Sequence, residues 1–173
     1  MPESSSHLLY LLRHAKSSWD DDTLADHDRP LAPRGHKAAT AMARHLRKAG
    51  VRPALVLCSS ARRARETYSA LKPAGELVVE RALYGASAAE LVYRLRELPE
   101  EVPSVMVIGH NPTMQAVVVG LAEQDDGADN PHLEAAREKF PTTALATLRL
   151  SGPWSALGAG SCELVALMRP RDL

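Results

Sequence analysis

Short apolar runs alternate along the chain with longer stretches in which apolar residues recur every three or four positions. The first run, Leu8-Leu9-Tyr10-Leu11-Leu12, is continuous rather than alternating and predicts a strand buried on both faces. Ala38, Ala39, Met42, Ala43 and Leu46 then mark one face of a helix over 35–49, and Gly50 stands where a helix commonly stops. Ala54 to Cys58 predicts a second strand, after which Ser59-Ser60 supplies cap candidates for a helix carrying Arg62, Arg63, Ala64, Thr67 and Leu71. Leu77-Val78-Val79 is a shorter strand candidate. Ser87 and Glu90 have the spacing of a capping box and open a helix to about Leu98. Ser104 to Gly109 predicts another strand, and Pro112 suits the first turn of a helix bearing Met114, Val117, Val118 and Leu121. Ala144 to Leu150 and Cys162 to Met168 predict the last strands, with 151–161 as the turn between them. The stretch from Gln124 to Pro131, rich in Asp, Gly and Asn, predicts a surface loop.

Strands alternating with helices in this way predict an α/β fold: one three-layer domain, a mostly parallel central sheet with helices on both faces. The length of 173 residues suits one such domain, and no repeat or linker interrupts it. Periodicity does not give the strand order. The 21 basic and 21 acidic residues cancel, so no global field favours nucleic acid or an anionic membrane. One Phe, four Tyr and two Trp leave little for stacking bases, which also argues against a nucleic-acid partner. Cys58 and Cys162 lie in apolar segments and read as buried thiols rather than a disulfide or half a metal site. Residues 1–6 carry no basic region and 8–12 are too few for a signal core or a membrane span, so the expectation is a cytoplasmic enzyme with no membrane partner.

Candidate chemistry sits at two strand ends. Arg13-His14 follows the first apolar run, and His110-Asn111-Pro112 follows the run ending at Gly109. Open α/β sheets place ligands at the carboxyl ends of their strands, and a cation beside an imidazole suits an anion there. His110 also begins a turn into a helix whose free amides favour negative charge. His7, His27, His36, His45 and His132 are accounted for as ordinary surface or core residues. Guanidinium forks match the equatorial oxygens of a transferring phosphoryl group, and Arg62, Arg63 and Arg65 start the helix after the second strand. The pattern points to phosphoryl chemistry, with one histidine as nucleophile and the other as supporting donor.

These residues carry a resemblance. Leu12-Arg13-His14-Ala15, Ser59-Ser60-x-x-Arg63-Ala64-x-x-Thr67 and Ile108-Gly109-His110-Asn111-Pro112 resemble successive motifs of the histidine phosphatase superfamily, which also contains phosphoglycerate mutases. The short length, the Arg13 to Trp19 start and Asp28-Arg29-Pro30-Leu31 are similar to the SixA-type phosphohistidine phosphatases. The resemblance runs from Leu8 to about Pro112 and continues weakly beyond. It implies a phosphoglycerate mutase-like fold and a phosphatase that uses neither metal nor cofactor. It makes His14 the nucleophile, places Arg13, Arg63 and His110 around the phosphate, and turns Arg29 toward the same pocket. Arg62 and Arg65 then become surface residues. The chain has neither an H-E-x-x-H helix nor a Walker loop, and no clustered carboxylates with Gly-rich turns.

The proton donor stays open. Glu90 is accounted for by its capping box, while Asp20, Asp21 and Asp22 follow Trp19 and are either a donor reaching the pocket or a solvated turn. A leaving imidazole needs a strong acid far less than an alkoxide does, so phosphohistidine in a phosphorylated protein is the favoured substrate. Few insertions over the carboxyl face also suggest an open site suited to a protein side chain. The rivals are a phosphatase of small phosphorylated metabolites such as sugar phosphates and a non-catalytic module that binds phosphorylated ligands. Trp19 either lines the mouth of the pocket or lies buried under the loop. The oligomeric state cannot be read from the sequence.

Overall fold

The computed structural model describes residues 6–124 and 129–173 and arranges them around one six-stranded sheet. In chain order the elements are β1 (Ser6–Arg13), α1 (Pro33–Lys48), β2 (Leu55–Ser59), α2 (Arg62–Leu71), β3 (Glu76–Glu80), α3 (Ala88–Arg96), β4 (Ser104–Gly109), α4 (Thr113–Ala122), α5 (Pro131–Glu138), β5 (Leu145–Ser151) and β6 (Cys162–Met168). Across the sheet the order is β3-β2-β4-β1-β5-β6. The first four are mutually parallel, and β5 alone runs against the rest.

The side-chain period of two explains the layers. Leu9 and Leu11 of β1 pack with residues of α3, α4 and α5, whereas Tyr10 and Leu12 point to the opposite face and pack with α1 and α2. From β1 to β2 to β3 the chain moves one way across the sheet, then reverses to reach β4. Because parallel crossovers are right-handed, that reversal sends the later helices to the other face. The neighbours β1 and β4 therefore release their chains to opposite sides, which opens a crevice at their carboxyl ends. Register aligns its contents. Arg13 pairs with Gly109, and Ile108 pairs with both Leu12 and Cys58, so the residues that follow emerge at one level.

Local signals behave largely as read. Gly50 takes φ 68° past the end of α1, and Ser87 Oγ accepts from the Glu90 N–H at 3.1 Å at the start of α3. Gly35 in α1 faces the loop after β1 so closely that a Cβ would lie 2.1 Å from the Lys16 carbonyl oxygen. Cys58 and Cys162 are buried free thiols, and burial pushes Cys58 up to about 12. No helix among the described residues is long and apolar enough to cross a membrane.

Two local expectations need correction. Ser59 and Ser60 do not cap α2 with their side chains: the cap residue is Ala61, and Ser59 Oγ instead accepts from the Ala61 N–H and meets the ring of His110. The loop expected over 124–131 ends sooner than its composition suggests, because Pro131 already begins α5, capped by Asn130 Oδ1 on the N–H groups of His132 and Leu133. Only Leu133 and Ala136 of α5 are buried, too few to show a helical period. The 125–128 part of that loop lies outside the described residues.

Candidate active site

His14 leaves β1 with its N–H donated to the Gly109 carbonyl at 3.0 Å, which ties it to the end of β4. Its buried ring sets Nδ1 2.7 Å from the Ala15 carbonyl oxygen. A carbonyl only accepts, so Nδ1 carries the proton and Nε2 keeps its lone pair. The loop is fixed from α2, where Thr67 Oγ1 accepts from the Ala15 N–H at 2.9 Å and donates to the Arg63 carbonyl at 2.7 Å. Burial lowers the His14 pKa to about 3, aided by His110, Arg63 and Arg13 and opposed by the Ala15 hydrogen bond. The ring is thus neutral at ordinary pH, with the Nε2 lone pair unprotonated.

His110 follows β4, its ring centroid 5.1 Å from that of His14 and tilted by 53°. Its Nε2 lies 2.7 Å from Ser59 Oγ at the end of β2, so three adjacent strands contribute to one spot. Burial, and next the charge of Arg63, lower its pKa to about 4. Among the described residues, His110 Nδ1 and Arg13 Nε are buried without a hydrogen-bond partner. Arg13 is steadied by a 3.1 Å bond from NH1 to the Phe140 carbonyl, which Asn111 Nδ2 also reaches at 3.0 Å. Thr143, fully buried, bonds from its N–H to the carbonyls of both Arg13 and His14. It does so at φ 67°, a strained conformation for a β-branched residue bonded directly to the His14 backbone.

Arg63, 8% exposed in the first turn of α2, is clamped by Asp26: NH1 donates to its carbonyl at 2.8 Å and NH2 to Oδ2 at 3.1 Å. Arg29 donates from NH1 to Asp26 Oδ1 at 2.9 Å, from Nε to the Ser18 carbonyl and from NH2 to Ser17 Oγ. Arg29 is therefore brought to the site through Asp26, with three of its donors holding the loop after His14. The Tyr84 hydroxyl donates to Asp26 Oδ2 at 2.5 Å, and that bond, with those of Arg29 and Arg63, holds the half-exposed Asp26 carboxylate well below the usual range.

The other named residues lie further out. Asp20, Asp21 and Asp22 are exposed, and Asp21 closes its own turn by accepting from the N–H of Thr23 at 3.0 Å and from its hydroxyl. Arg62 pairs with Glu66 at 3.4 Å, and Arg65 donates to the Ser60 carbonyl at 3.0 Å, both on the surface. Trp19 is 71% exposed and lies flat on Arg29, whose Cζ is 3.3 Å from the ring centroid; it belongs to the rim and is not buried under the loop. Asp26 and Tyr84 were not singled out by sequence, and Ser59 was read as a helix cap rather than as the partner of His110. His27, read as ordinary, joins the rim through Ser60 Oγ at 2.9 Å and the edge-on Tyr84 ring at 4.8 Å. The one available signal for Asp26 was its position three residues before Arg29.

The lowered histidine pKa values carry a stability consequence. Both rings are neutral when folded, and in the unfolded chain they take up protons below about pH 6.5. Between that pH and about 4 the unfolded chain binds more protons, so stability falls as pH falls, by at most about 1.4 kcal/mol per pH unit for each ring. Urea midpoints between pH 7 and 4 should therefore fall less steeply in His110→Asn than in wild type, and equal slopes would contradict this.

A crevice at parallel strand ends, holding two neutral imidazoles among arginines, defines a phosphoryl-transfer site. The chain belongs to the histidine phosphatase superfamily, whose branch 1 matches residues 9–84, and within it the chain is of the SixA type. It is similar to an uncharacterized protein of Mycobacterium tuberculosis, 38% identical over 160 residues that cover 92% of this chain and 100% of the relative. It is also similar in structure to a candidate phosphohistidine phosphatase SixA from Nakamurella multipartitia, with a TM-score of 0.83, 32% identity, and 95% and 96% of the two chains covered. A protein histidine phosphatase SixA complexed with tungstate matches with a TM-score of 0.75 and 25% identity, covering 95% of this chain and 98% of that one. The fold is phosphoglycerate mutase-like, and the protein is a phosphatase.

Proposed function

We propose that this phosphatase hydrolyses phosphohistidine in a phosphorylated protein through a covalent phosphohistidine on its own His14. The observation that carries the reading is the state of Asp26: the carboxylate joined to Arg63 is held ionised, so it is a poor acid for an alkoxide leaving group. A phosphoimidazole protonated on its second nitrogen departs as neutral imidazole and needs no such acid. The tetrahedral oxyanion tungstate held by a similar SixA protein agrees with oxyanion binding at this site.

In the first step His14 Nε2 attacks phosphorus in line as the bond to the substrate nitrogen breaks. The ring becomes cationic, and the Ala15 carbonyl, already accepting from Nδ1–H, steadies that charge. Arg13 and Arg63 meet the charge on the equatorial oxygens, and His110 supplies a further hydrogen bond. Water then attacks phosphorus as its bond to Nε2 breaks; both water protons leave with the inorganic phosphate, and His14 returns neutral with its proton on Nδ1. Arg29 acts through Asp26, which it positions against Arg63. No step calls on a metal or cofactor.

The test compares kcat/KM on a phosphohistidyl peptide and on a sugar phosphate, each with excess chelator. The expected result is a preference for the peptide of at least about a hundredfold, unchanged by chelator. A preference for the sugar phosphate would favour the metabolite reading, and oxyanion binding without turnover of either would favour the binding module.

A further inference from the structure

Beside the catalytic crevice the molecule concentrates positive charge in a groove of about 390 Å³. Lys16, Arg34, Lys139, Arg169 and Arg171 line it, with Glu138 as the opposing charge on its wall. Among the described residues, Arg169 pairs with Asp172 at 3.1 Å, while Lys16, Arg34, Lys139 and Arg171 make no ion pair and are exposed. Five cations thus face two anions here, in a chain whose basic and acidic residues balance at 21 each.

The groove shares its walls with the site. Lys16 stands two residues past His14, and its carbonyl accepts from the Ala32 N–H at 2.9 Å, which docks the first turn of α1, with Arg34, beside it. Lys139 and Pro141 flank Phe140, whose carbonyl holds Arg13. β6 runs parallel to β1 and so delivers Arg169 and Arg171 to the same end of the sheet. The catalytic phosphate has its own arginines, Arg13 and Arg63, so these further cations suit a second and separate negative charge. A groove open to solvent, four of whose five cations are exposed and make no ion pair among the described residues, fits the side chains of an acidic surface better than an enclosed small molecule.

We propose that this groove docks acidic residues flanking the phosphorylated histidine of a protein substrate, which makes it a specificity surface for phosphoproteins of acidic character. The proposal rests on the phosphohistidine-protein reading above. It is tested with three synthetic phosphohistidyl peptides that differ only in four flanking residues, Glu, Gln or Lys. Wild type is expected to favour the Glu peptide over the Gln peptide by about tenfold in kcat/KM, through KM, with the advantage shrinking at high salt. Lys139→Glu/Arg171→Glu is expected to abolish or invert that order while turnover of free phosphoimidazole stays unchanged.

The same peptides are scored as competitive inhibitors of turnover of an aryl phosphate. If the phosphohistidine reading fails and no peptide is hydrolysed, tighter inhibition by the Glu peptide still supports the groove. Equal kcat/KM for the Glu and Gln peptides overturns the docking surface, as does a Glu preference that survives the charge reversal. Stronger inhibition by anionic lipid vesicles than by the Glu peptide overturns the choice of partner.

Discussion

His14→Ala is expected to remove turnover on every phosphorylated substrate, by at least about ten-thousandfold in kcat, while leaving the fold and the oxyanion site in place. The size of the effect follows from the two-step route: without Nε2 there is no covalent intermediate, and water must attack the substrate directly. Retention of binding follows from the contacts, since Arg13 is anchored on Phe140, Arg63 on Asp26 and His110 at Ser59, none of them through the His14 ring. Steady-state kinetics together with calorimetric titration of tungstate would show it. Activity within a few per cent of wild type would mean that another group attacks phosphorus, and loss of both turnover and tungstate binding would mean that His14 acts by shaping the site.

Arg63→Lys is expected to lower kcat/KM by about a hundredfold to a thousandfold, nearly as much as Arg63→Ala. A guanidinium has five N–H donors, and Arg63 directs one to the Asp26 carbonyl and another to its carboxylate, leaving others for the phosphoryl oxygens. An ammonium at that position cannot span Asp26 and a phosphoryl group in the same plane. The neighbouring variants Arg62→Ala and Arg65→Ala serve as comparisons, because those side chains lie on the surface, and each should stay within about twofold of wild type. A lysine variant with near wild-type kcat/KM would show that Arg63 contributes only bulk charge.

Arg13, His14 and His110, which the structure brings together, were legible as candidates because they stand at the ends of the most apolar strands. Continuous runs at Leu8 to Leu12 and Ser104 to Gly109 mark central strands, and the residue that follows such a strand in an open α/β sheet faces the ligand. The order of the strands was not legible, because a period of two records burial and not pairing. The reversed β5 is an example: its apolar content gives no sign that it runs against its neighbours.

Asp26 shows why the supporting residues stayed hidden. In sequence it is one acid in a polar loop, and its partners Arg63 and Tyr84 lie 37 and 58 positions away. Only the packing of that loop over α2 brings them together. Trp19 is similar, since its flat contact with Arg29 depends on the guanidinium being fixed from below by Asp26 and Ser17. The donor sought among Asp20 to Asp22 also depends on which way a loop turns, and these three residues are exposed to solvent.

The central claim, a covalent intermediate on His14, is tested most directly by rapid-quench labelling with a phosphorylated substrate at mildly acidic and neutral pH, followed by mapping of the labelled residue. The expected result is a transient acid-labile, alkali-stable phosphoryl group on His14 that forms and decays fast enough to account for turnover and is absent from His14→Ala. Turnover without any such label, or label on a different residue that persists in His14→Ala, would contradict it.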